Sequence, residues 1–92
     1  MSGAVYEVGN PKNITATGAV TTGGGSLLGF YVNNTTAGTL VLRDGGASGT
    51  VLTGTITPAI GWNHLPITIG TSLYATVGGT LDVTFSFVPA TF

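Results

Sequence analysis

The stretch Leu81-Asp82-Val83-Thr84-Phe85-Ser86-Phe87-Val88 alternates apolar and polar side chains without interruption. Successive side chains of a strand point to opposite faces, so Leu81, Val83, Phe85 and Phe87 define a core face and Asp82, Thr84 and Ser86 a wet one. Outward from this run the same kind of segment recurs between turn residues. Ser72–Val77 lies before it, separated by Gly78-Gly79. Trp62–Thr68 carries Pro66, which makes it an edge or irregular strand. Thr50–Thr57 is stopped by Pro58, and Thr39–Asp44 precedes it across the loop Asp44-Gly45-Gly46-Ala47-Ser48-Gly49. Ser26–Asn33 is too uniformly apolar for a half-exposed strand and reads as central. Asn33–Gly38, rich in residues that accept left-handed backbone, reads as a hairpin loop. Asn13–Val20 places Ile14, Ala16 and Val20 on one face, and Ala4–Val8 ends at Gly9-Asn10-Pro11.

Sixteen glycines leave no stretch with helical spacing of apolar residues. The expected fold is therefore all-β: a small antiparallel β-sandwich or jelly-roll-like barrel of seven or eight short strands with essentially no helix. A chain of 92 residues supports one such core. Residues 13–92 read as that domain, and residues 1–12 as an N-terminal arm or a first edge strand. A weak echo between Ala37–Leu42 and Gly78–Val83 carries no function.

Composition restricts the chemistry. The chain has no Cys, one His, two basic and three acidic residues: Glu7, Lys12, Arg43, Asp44 and Asp82. General acid–base, nucleophilic and metal chemistry draw on those residue types, so the sequence reads as that of a non-enzyme needing no cofactor. His64 has no nucleophile elbow to serve, because Gly24-Gly25-Ser26-Leu27-Leu28-Gly29 misses that spacing by one residue. One His and three scattered acids are too few for zinc. Asp44 with the carbonyls of Gly45–Ser48 offers calcium oxygen ligands, but an Asp-Gly turn needs no ion. Gly23-Gly24-Gly25-Ser26 lacks the Lys of a phosphate-binding loop. The Asn-x-Thr triplets at Asn13 and Asn34 come without a secretory signal.

A net charge of −1 provides no patch for nucleic acid or for an anionic membrane. No run suits a signal peptide or a membrane span, so synthesis in a cytoplasm is expected. Globular domains usually keep about a quarter of their residues charged, whereas 5% are charged here. So neutral a surface gives copies little mutual repulsion and points to coverage by partners, with oligomerisation in place of disulfides.

Trp62, Asn63 and His64 form the strongest candidate recognition surface, since Trp combines contact area with a polar tip. A core or lid position for Trp62 is the competing reading. Tyr6 and Lys12 mark the N-terminal segment as the other candidate interface.

Three stretches carry a resemblance: Gly38–Val51 (GTLVLRDGGASGTV), Thr57-Pro58 with Gly61–Pro66 (GWNHLP), and Leu73–Thr84 (LYATVGGTLDVT). In strand-and-turn patterning they resemble small β-rich virion proteins of tailed bacteriophages and prophages, similar to capsid decoration (cement) proteins. That resemblance implies a homotrimer on the outer capsid surface, with the major capsid protein as partner and no catalytic residues. The same patterning suits a receptor- or glycan-binding module of a head or tail fibre, using Trp62, His64 and Tyr31 or Tyr74. A ring-forming tail or connector component is a third possibility.

Overall fold

The computed structural model describes residues 10–89. They form one antiparallel sheet of six strands and, among the described residues, no helix. The strands are β1 (Asn10–Ile14), β2 (Gly18–Ala19), β3 (Gly25–Asp44), β4 (Thr50–Val51), β5 (Gly61–Ile69) and β6 (Leu73–Pro89). Two long strands dominate. β3 and β6 pair along their whole length, from Gly25 opposite Pro89 to Asp44 opposite Leu73. At one end they are flanked by β1 on β6 and β5 on β3. At the other end they are flanked by β2 on β6 and β4 on β3.

Among the described residues the strands are fewer and longer than the seven or eight short ones expected, and the expected first run, Ala4–Val8, lies outside them. Ser26–Asn33 and Thr39–Asp44 are parts of one strand, as are Ser72–Val77 and Leu81–Val88. Asn33–Gly38 is not a hairpin loop. There the pairing of β3 with β6 shifts register between Val32 and Asn34 and again between Thr36 and Thr39, and Ala37 adopts a left-handed φ of 53°. A bulge needs the same permissive residues as a tight turn, so composition does not separate the two. Gly79, opposite this bend, has a φ of 65°, and a Cβ on it would collide with the carbonyl oxygen of Ala37.

The core face gathers Leu27, Phe30 and Val32 of β3 with Leu81, Val83, Phe85 and Phe87 of β6. Beyond the bend, Leu40, Leu42, Leu73 and Ala75 join the same cluster. Phe30 and Phe85, cross-strand partners, tilt at 51° with ring centroids 5.7 Å apart. That separation is within the favoured range for edge-to-face aromatic pairs.

Two other expectations change in detail, and a third, the irregular edge strand carrying Pro66, is met. Asn13–Val20 is split between β1 and β2, and Ala16 is exposed while Ile14 and Val20 are buried. Thr50–Thr57 pairs only near its ends, through β4 and a bridge between Leu40 and Ile56. In both cases a threonine hydroxyl takes a backbone group's place. Thr17 Oγ1 accepts from the Val77 N–H at 2.8 Å and donates to the Val77 carbonyl, while Thr53 Oγ1 accepts from the Leu42 N–H at 3.2 Å. Finally, Pro66 lies where β5 changes register against β3, a bulge that spares the ladder its missing N–H.

Asp44 joins two turns. Its carboxylate accepts the N–H groups of Gly70 and Thr71, both at 2.8 Å, and of Ser72 at 3.2 Å, while the Gly45 N–H reaches the Ser72 carbonyl. The calcium reading of Asp44 with Gly45–Ser48 does not match this arrangement, because both carboxylate oxygens are occupied by the turn between β5 and β6. These bonds, that of Thr71 foremost, hold the Asp44 carboxyl below the ordinary carboxylate range. Stability from this group is therefore present above the unfolded-state value of about 3.9 and lost as pH falls through the lower folded value. Asp44→Asn should melt lower than wild type at neutral pH, and the gap should narrow as the pH is taken from about 4 to about 2. Thermal melts across that range check this, and two curves that stay parallel would contradict it.

Candidate functional site

The register of the sheet decides which side chains share a surface. Asn13 of β1 lies opposite Thr84 of β6, Thr84 opposite Tyr31 of β3, and Tyr31 opposite Trp62 of β5. Directly opposed residues of an antiparallel pair face the same way, so these four form one row across the outer face. Tyr31 is 48% exposed and Trp62 50%, which removes Trp62 from the core. His64, two residues along β5, is exposed beside it, with ring centroids 6.5 Å apart. Ile60, also exposed, lies just before β5.

Gly29 is the floor of this aromatic group. It pairs with His64, and a Cβ built on it would lie 2.7 and 2.9 Å from the outer carbons of the Trp62 benzo ring. The indole therefore lies across the glycine's α-carbon, in space that any other residue would fill.

The polar end of the row is an ordered network. Asn13 Nδ2 donates to Asp82 Oδ1 at 2.7 Å and to Thr84 Oγ1 at 3.1 Å. Asn33 Nδ2 donates to the same two oxygens, at 3.3 and 3.2 Å. Sequence reading missed these four residues, although the outward positions of Asp82 and Thr84 were evident from their alternation with the core. Asn13 and Asn33 lie far from them in sequence and only the strand pairing brings them in.

The candidates named from sequence converge in part. Trp62, His64 and Tyr31 share the outer face, but Asn63 points the other way. It is half-buried, and its Nδ2 donates to the carbonyls of Ala59 and Gly61, both at 3.1 Å, fixing the approach to β5. Lys12 is exposed at the opposite edge, in the core-facing row Lys12, Phe85, Phe30, Asn63. It helps to line a cleft of about 390 Å³ with Val20, Thr21 and Phe87. Tyr6 lies outside the described residues. Tyr74 is half-buried in the other half of the sheet, opposite Ala19 and Arg43, away from Trp62.

Among the described residues, little of the charge is available for chemistry. Asp44 and Asp82 hold turn and network, and Arg43 Nη1 donates to the Gly49 carbonyl at 3.3 Å. Among the described residues no three of His, Cys, Asp or Glu come together. What the outer face offers is contact and hydrogen bonding. Comparison with protein-family models, with curated proteins and with solved structures finds no match to this chain.

Proposed function

We propose that this chain is a non-enzymatic bacteriophage virion protein of the capsid-decoration kind. It self-associates as a trimer and binds the major capsid protein on the outer surface of the head, after synthesis in the host cytoplasm. The observation that carries this reading is the use made of the few charges. Arg43, Asp44 and Asp82 are engaged by the fold itself. The remaining outer surface is mostly Thr, Asn, Ser and half-exposed aromatic rings, with little to keep copies apart. A small domain engaged at many equivalent positions on a shell needs only a modest interface per copy, because several held at once raise the effective affinity.

The fold is read in the same terms as a jelly-roll-like sandwich, the long β3–β6 pair doubling over at its bend. Residues of both halves, Leu27 and Val83 on one side and Leu42 and Leu73 on the other, have no exposure at all. A single uncovered sheet face would leave them wet. Closure of one half over the other accounts for their dryness.

Light scattering on the chromatographically purified chain tests the function. The expected result is the mass of a trimer, together with rebinding to capsids stripped of this protein. A monomer that also fails to bind such capsids would overturn the reading.

A further inference from the structure

The outer row joins two kinds of surface that one class of ligand needs together. At the edge formed by β5, Trp62 and Tyr31 stand side by side, each about half exposed. Trp62 lies low because Gly29 beneath it has no side chain to lift it. Two strands further on, Asp82 and Thr84 hold the amides of Asn13 and Asn33 in fixed positions. Neighbouring strands are about 4.8 Å apart, so the row of four residues spans about 14 Å, the length of a short oligosaccharide.

A sugar ring has an apolar C–H face and a rim of hydroxyls. Flat aromatic groups receive the first, and oriented carboxylate, amide and hydroxyl oxygens receive the second. Because the polar groups are already bonded to one another, little ordering remains to be done on binding. The charge at the site selects among sugars. Lys12 and Arg43 do not belong to this row and Asp82 stands beside it, so an acidic sugar or a phosphate meets a carboxylate there, with the imidazole of His64 beside Trp62 as the one basic side chain at hand.

We infer that the outer row Trp62, Tyr31, Thr84, Asn13, with Asn33 and Asp82 beside it, binds a neutral oligosaccharide. Trp62 and Tyr31 stack on its rings, and Asp82 and the two amides take its hydroxyls. The inference does not depend on the capsid reading. It requires only that this face stay open in whatever assembly the chain forms.

The test is a titration of the full chain with cellohexaose, maltohexaose, mannohexaose and, as the acidic comparison, oligogalacturonate. It is followed by calorimetry and by fluorescence of Trp62, the only Trp in the chain. Saturable heat and a fluorescence change with at least one neutral hexaose, and none with oligogalacturonate, are expected. Trp62→Ala and Tyr31→Ala should each weaken that binding roughly tenfold, the effect of losing one stacked ring. Trp62→Phe should keep part of it, and Lys12→Ala all of it. Circular dichroism and solution mass should stay those of wild type in every variant. Absence of binding to all three neutral hexaoses would overturn the inference. So would binding that survives both alanine substitutions. A change of oligomeric mass in Trp62→Ala, without sugar binding in wild type, would assign the face to a second copy of the chain instead. The capsid reading is judged separately, by trimer mass and capsid rebinding.

Discussion

Replacing Phe85 by alanine should cost about 3–5 kcal/mol of folding free energy, the range for emptying a buried aromatic site. Phe85 has no exposure and sits at the middle of a row whose ends are polar, with Lys12 on one side and Phe30 then Asn63 on the other. Lys12 keeps its ammonium in water and Asn63 is tied to Ala59 and Gly61, so neither can move in to fill the space. Phe30 also loses its tilted ring partner. A domain of this size has about 5–15 kcal/mol in total. The substitution therefore removes a large share of it. Urea unfolding followed by far-ultraviolet circular dichroism should show a much lower midpoint with little change in slope. A loss below about 1 kcal/mol would mean that Phe85 is not packed in the core as its lack of exposure indicates.

The same residue shows why part of this fold was legible. Leu81, Val83, Phe85 and Phe87 keep a two-residue period through a stretch without Gly or Pro, and that period has one physical reading. The long strands were not legible, because the Asn, Thr and Gly of positions 33–38 satisfy a hairpin and a double bulge equally well. Deciding between them requires knowing that β6 runs alongside and bends at Gly79. Threonine hid a second feature. Thr17 and Thr53 substitute a hydroxyl for a backbone partner where the short edge strands break off, and nothing in their local sequence marks them off from the other threonines. The site was visible as far as Trp62 and His64, with Tyr31 and Tyr74 as alternatives that only strand register separates. The sequence neighbour of Trp62, Asn63, suggested a continuous surface, yet alternation along β5 sends the two side chains to opposite faces. The true neighbours of Trp62, namely Tyr31, Gly29 and the amides beyond, belong to other strands and follow from register, which a single chain read along its length does not disclose.

Gly29 offers the second large effect, because one added methyl group tests the sheet and the aromatic surface together. In Gly29→Ala the new Cβ meets the backbone carbonyl oxygen of Asn63 and the benzo ring of Trp62. The ring can swing outward. The carbonyl cannot, since Asn63 lies in the paired register of β5 opposite Phe30. Relief must come from separating β3 and β5 near the register shift between Leu27 and Gly29, and overpacking of this kind costs about 1–3 kcal/mol. Two readouts should then move together: a lower urea midpoint, and a red-shifted Trp62 emission in the folded protein as the indole leaves its seat. Trp62→Ala supplies the contrast, with a midpoint close to wild type because the ring is half exposed. The double variant completes the cycle. If the backbone carbonyl is the obstacle, removing Trp62 restores little of the stability lost in Gly29→Ala. If the ring is the obstacle, most of it returns, and the indole is then held against Gly29 too firmly to swing outward.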